Sequence, residues 1–185
     1  MKNLARFLLE AGKLKSIERT GWVREGMLNP ETVAEHSWRV AFLAMLLGDE
    51  LDVEKNKLIK MALIHDLEEA ETHDPVVQRG KNQVGNHQRE DEELAIKRMI
   101  SDVSGTDEVF NLWKEQAVEN SPGATKEAII LYELGKIATA WQALEYELAG
   151  ADPRKLDEFW ENAHTHVKKP KILELLNELE SLRKV

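Results

Sequence analysis

The chain predicts an all-α fold on two observations. Apolar residues recur at spacings of three and four almost throughout, and the alternating runs of Val, Ile and Thr that build half-buried strands are missing. With 185 residues and 42% hydrophobic content, the sequence suits one compact domain spanning 1–185, a bundle of about seven to nine helices.

The first helix is expected from about Asn3 to Ser16, with Leu4, Phe7, Leu8 and Leu14 on its apolar side. RTGWVREGMLNPE follows as a loop, broken by Gly21, Gly26 and Pro30. A second helix begins near Glu31 and continues through VAEHSWRVAFLAMLLGDEL. Asp52 offers an N-cap for a third, from Val53 to about Thr72, which Pro75 ends because the residue before a proline avoids the helical region. PVVQRGKNQVG, residues 75–85, reads as a loop carrying Arg79 and Lys81. Further helices are expected at 86–102, 106–119 with Thr106 as cap, 124–149, 154–167 opened by Asp152 and Pro153, and 171–183. No repeat, low-complexity tract or interdomain linker interrupts them.

A net charge of -9 and a pI near 5.3 argue against a protein that grips long nucleic acid by its phosphates, yet leave room for a single nucleotide held by a few local cations. There is no cysteine, so any metal must be held by histidine and carboxylate, and a reducing cytoplasm suits the chain. The N-terminal stretch mixes acids and bases among its apolar residues, unlike a signal peptide, and no run approaches a membrane-spanning length. A soluble cytoplasmic protein is expected.

Chemistry concentrates in ALIHDLEEAETHDP, residues 62–75. On a helix His65 and Asp66 diverge by about 100°, so they share a shoulder from which imidazole and carboxylate can still meet one ion. Glu69 follows His65 at i+4, close enough for its carboxylate to reach a water on that ion. An HD dipeptide alone is a weak signal. His36 strengthens it, because it sits in an otherwise apolar helix beside Val33, Val40 and Ala41, where a buried imidazole needs a partner and a metal is one candidate.

RTGWVREG, PETVAEHSWRVAFLA, IHDLEEAETHD and WQALEYELAG together resemble successive landmarks of the HD-domain metal-dependent phosphohydrolases, in the branch of 5'-deoxynucleotidases. The resemblance runs from about residue 8 to the last helix. It implies an all-helical fold, usually a homodimer, in which a divalent ion (Mn, Co, Mg or Zn) helps water attack the phosphate of a deoxyribonucleoside 5'-monophosphate. Carried over residue by residue, it makes His36, His65 and Asp66 metal ligands and Glu69 the acid that activates or positions the attacking water. Asp74 matches a sugar contact, and Arg19 and Trp22 match an Arg and Trp near the substrate, with looser spacing around Arg19.

One departure stands out. The family's fourth ligand is an aspartate a fixed distance before the QALEYE landmark, and that position here is Gly135, which has no ligand atom in a side chain. Glu133 lies about 200° around a helix from it and is a poor substitute. His73 extends a His65, Glu69, His73 stripe and is one candidate to complete the shell; water is another. Two functions are therefore open: a hydrolase, or a nucleotide-binding regulatory protein with weak or lost turnover.

Other conspicuous residues read as structural. Trp38, Trp113, Trp141 and Trp160 suit core or dimer contacts, while Trp22 falls in the loop. His87 precedes a charge-rich solvated helix with pairs such as Glu93 and Lys97, and His164 and His166, two apart, diverge on a surface. Lys13, Lys15, Arg39, Arg79 and Lys81 are candidates for phosphate contact, though surface solvation suits each taken singly.

Overall fold

The computed structural model describes residues 3–75, 86–116 and 123–183, and these are helical with a single isolated bridge between Glu18 and Thr32. Eight helices of eight residues or more run in the order α1 (Leu4–Ala11), α3 (Val33–Leu47), α4 (Lys55–Ile64), α6 (Asn86–Ile100), α7 (Asp107–Gln116), α8 (Lys126–Leu148), α9 (Asp157–His166) and α10 (Pro170–Ser181). Two single turns, α2 (Thr20–Arg24) and α5 (Glu69–Thr72), lie beside the site. His87, Arg79, Lys81 and the expected continuation of α7 to residue 119 fall outside the residues whose side chains or backbone are described.

Helix α3 starts on a capping box rather than simply after Pro30. Thr32 Oγ1 accepts from Glu35 N at 3.3 Å, and Glu35 Oε2 accepts from Thr32 N at 2.7 Å, which satisfies two of the orphan donors of the first turn. Asp52 is not the cap of α4: it has positive φ and pairs with Lys126, while Glu54 accepts from Asn56 N and Lys57 N. Thr125 caps α8 in the same manner, accepting from Ala128 N at 3.3 Å.

The main core lies where α3, α4, α8, α9 and α10 meet, and is filled by Val40, Leu58, Met61, Leu134, Ile137, Trp160 and Leu176. Each such side chain contributes about 1.5–3 kcal/mol by leaving water. A second cluster, Leu14, Ile17, Val33, Leu67, Ile96 and Trp113, sits under the segment that follows α4. Trp113 and Trp160 are thus core residues, whereas Trp38 is 57% exposed and stacks on Phe42. Arg39 is buried and cross-links α3 to α8 through Gln142 and Glu145 while lying over Trp141, so it is a packing residue and not a phosphate contact.

The expected third helix is broken. Helix α4 ends at Ile64, and the chain then advances by i to i+3 bonds: Leu67 N to Ile64 O, Glu69 N to Asp66 O and Ala70 N to Leu67 O, at 3.1, 3.2 and 3.3 Å. Two long-range contacts favour this turn. Gln116 Nε2 donates to the His65 carbonyl at 2.9 Å, and Trp113 Nε1 donates to the buried Glu68 carboxyl at 2.5 Å.

Candidate metal centre

The tight turn sets the geometry of the site. In a chain advancing by i to i+3 bonds, residues three apart eclipse, so Asp66 and Glu69 share a face, in place of the His65 and Glu69 pairing that a continuous helix would give. His73 caps the turn, its N–H bonded to the Glu69 carbonyl at 2.9 Å, and with φ 61° and ψ 162° it turns the chain out of the helix; it is not among the residues that line the site's cavity. Among the described residues, the donors that come together are those of His36, His65 and Asp66, all within 4.8 Å of one another.

The hydrogen bond of His65 suits metal ligation. His65 Nδ1 donates to the Ala62 carbonyl at 2.8 Å, which fixes the tautomer and leaves Nε2 facing Asp66 Oδ2 at 3.1 Å. His36 is 3% exposed, and its Nδ1 lies 2.9 Å from Arg19 Nη1. Burial and then the neighbouring Arg19 cation hold His36 well below the usual imidazole range, so its ring is neutral; Nδ1 accepts from Arg19, and a metal would replace either that contact or the proton on Nε2. Burial pushes the Asp66 carboxyl up, but the facing His65, Arg19 and Lys136 more than offset it, and Asp66 titrates below its ordinary value. Burial lowers the proton affinity of His65, but Asp66 in turn raises it by more, so a bound ion would displace a proton there. Two imidazoles and one carboxylate fit a divalent ion of intermediate softness.

Glu69 is 7% exposed, and its Oε2 is buried without a hydrogen-bond partner. Burial, then the charges of Asp66 and Asp74, hold its carboxyl well above the ordinary range. A group so placed is suited to accept a proton.

Arg19 and Asp74 arrive from opposite sides of one joint. Arg19 N bonds to the Glu31 carbonyl at 2.9 Å beside the isolated bridge, which seats its guanidinium against Glu31, His36 and Thr139. Asp74 Oδ2 accepts from Thr20 N and lies 2.6 Å from Thr20 Oγ1, leaving Oδ1 3.9 Å from Arg19 Nε. Trp22 departs from the loop expectation. It lies in α2, only 1% exposed, packed between Tyr146 and Phe159, and its Nε1 donates to Glu31 Oε2 at 3.0 Å.

The seven residues carried over from the resemblance, Arg19, Trp22, His36, His65, Asp66, Glu69 and Asp74, line one cavity of about 340 Å³, within the usual range for small-molecule sites, and His73 does not. Several lining residues were not anticipated: Thr20, Gln116, Tyr132, Lys136 and Thr139. A signal for the last three was present, since Tyr132, Gly135, Lys136 and Thr139 recur at spacings of three and four on an otherwise apolar helix. Glu31 was also missed. It is the buried hub between Arg19, Arg39 and Trp22, but an acid beside a helix start reads as a capping residue. His164 and His166 do not line the cavity: His164 bonds to Glu180, and His166 donates to the Asn162 carbonyl and packs edge-on against Tyr132, a cavity residue.

A model of the HD domain family matches residues 11–179. A 5'-deoxynucleotidase HDDC2 of Danio rerio is 32% identical, with 99% of this chain and 89% of the relative covered. A Dictyostelium discoideum protein of the same name is 33% identical and both chains are covered in full. The solved structure of a Pyrococcus horikoshii protein superimposes with a TM-score of 0.76 at 30% identity, covering 97% of this chain and 100% of the other. The family match runs from Ala11 to Leu179 and takes in every segment that lines the cavity: the chain belongs to the HD-domain family.

Proposed function

We propose that the chain is a metal-dependent phosphohydrolase that releases phosphate from deoxyribonucleoside 5'-monophosphates, with His36, His65 and Asp66 as metal ligands. The observation that carries this reading is the placing of those three donors in one cavity with the buried carboxyl of Glu69, whose Oε2 has no hydrogen-bond partner. The relatives named 5'-deoxynucleotidase support the substrate class.

A bound divalent ion supplies polarisation of the phosphate and a more acidic water. The rest is done by side chains of this chain. Glu69 takes the proton of the attacking water, a role suited to its raised affinity for protons. Arg19, braced by Glu31 and Thr139, presents positive charge to the phosphate. Asp74, with Oδ2 held by Thr20, keeps Oδ1 for the sugar, and Trp22 supports the pocket by holding Glu31 under Arg19.

The deciding assay measures phosphate released from a panel of deoxyribo- and ribonucleoside 5'-monophosphates with Mn, Co, Mg or Zn supplied. Release from the deoxyribonucleotides is expected, and no release from any of them refutes the proposal. One observation favours a second reading in which nucleotide binds and stays intact: Gly135 lines the cavity and offers no donor there. Calorimetric binding of nucleotide without phosphate release would select that reading.

The homodimer that the resemblance implies has an apolar surface to use, the exposed Trp38 with Met45 and Leu46 on α3. Light scattering at the mass of two chains is the expected result. No helix among the described residues is long and apolar enough to cross a membrane.

A further inference from the structure

Helix α8 lends Tyr132, Gly135, Lys136 and Thr139 to the cavity wall. Gly135 lies inside this 23-residue helix, where glycine costs about 1 kcal/mol relative to alanine. Packing does not demand it, because a Cβ built there meets no neighbouring atom within 4 Å. Nor does backbone conformation, since Gly135 is absent from the positive-φ glycines. What the glycine leaves is open space on the wall of the metal cavity, which Lys136 and, one turn on, Thr139 also line. Three protein donors also leave at least one position of a divalent ion's shell without a side chain.

We infer that the space over Gly135 is an oxyanion cradle, in which inorganic phosphate lodges beside Lys136 and completes the ligand shell that His36, His65 and Asp66 begin. The inference rests on the metal-site reading above. It makes metal and phosphate cooperative ligands: each raises the affinity of the other by the same factor. The protein then holds its metal firmly when phosphate is present and loosely when it is absent.

The test is calorimetric titration of the metal-free protein with Mn²⁺, with and without inorganic phosphate, correcting free Mn²⁺ for its complex with phosphate. Phosphate is expected to tighten Mn²⁺ binding by at least tenfold. G135D is expected to bind Mn²⁺ more tightly than the native chain in the absence of phosphate and to lose most of the phosphate effect. G135L fills the cradle without adding a donor, so it should lose the phosphate effect and gain no affinity. Both variants place their Cβ in open space and are better helix formers than glycine, and circular dichroism checks their fold. Equal Mn²⁺ affinity with and without phosphate in the native chain overturns the cradle alone, as does native-like coupling in both variants. Absence of any Mn²⁺ binding overturns the metal-site reading along with it.

Discussion

Replacing Glu69 with glutamine should slow the reaction and stabilise the metal-free protein at the same time. The native carboxyl is buried, its Oε2 has no hydrogen-bond partner, and Asp66 and Asp74 add like charge. The fold therefore holds its proton more tightly than the unfolded chain does. As pH rises from the ordinary carboxylate value near 4.3 through the raised value of the folded state, the folded chain binds more protons than the unfolded one, and stability falls across that window. Glutamine keeps the shape and removes this loss. Each pH unit by which the fold holds the carboxyl above its ordinary value corresponds to about 1.4 kcal/mol, and 1 kcal/mol to roughly 2–4 °C in a chain of this size. Glu69→Gln should thus melt at least a few degrees above the native protein at pH 8, with the gap closing by pH 4. The ligands are untouched, so metal content should be unchanged, while phosphate release should drop by about 10²–10⁴-fold through loss of the proton acceptor. Thermal melts of the metal-free proteins at both pH values, paired with a phosphate-release assay, measure the two effects. A variant with native turnover, or one that melts lower at pH 8, refutes the reasoning.

Three further outcomes follow from the same geometry. Glu31→Ala removes the shared buried partner of Arg19 and Arg39 and the acceptor of Trp22 Nε1, and should cost about 3–5 kcal/mol in a denaturant titration; a loss under 1 kcal/mol would show that the hub is not an ion-pair centre. Asp74→Ala removes the acceptor of Thr20 N and the carboxylate facing Arg19, so KM for deoxyribonucleotides should rise and the preference over ribonucleotides shrink; unchanged discrimination removes Asp74 from the sugar contact. Burial, then Asp66, raise the Glu68 carboxyl well above its ordinary range, and glutamine can still accept from Trp113, so Glu68→Gln should flatten the decline in stability from pH 5 to pH 8; a slope equal to that of the native chain argues against a protonated Glu68.

The helical content and most helix positions could be read from the sequence because Leu, Ile, Val and Ala recur at spacings of three and four along the long helices, as in α3 and α8. The break after Ile64 could not. LIHDLEE contains neither glycine nor proline, its apolar spacing continues, and the turn is held by Gln116 and Trp113, about fifty positions away. Asp52 and Glu54 illustrate a smaller ambiguity. Both are acids before a helix, and local spacing does not reveal that Lys126 draws Asp52 away. Trp22 was assigned to a loop on the glycines around it, yet the pocket formed by Tyr146 and Phe159 winds its segment into a helical turn. For the site, His36, His65 and Asp66 were legible as residue types, and their convergence depends on the turn that the sequence conceals. Glu31, Lys136 and Thr139 escaped notice because their roles arise from side chains brought together across the fold.

The central claim is that His36, His65 and Asp66 hold the ion on which phosphate release depends. It is tested most directly by measuring bound metal and phosphate release together in the native chain and in Asp66→Ala after loading with Mn²⁺ and phosphate. The account predicts about one ion per native chain with release of phosphate from deoxyribonucleoside 5'-monophosphates, and loss of both in the variant. Native metal content and native turnover in Asp66→Ala would contradict it.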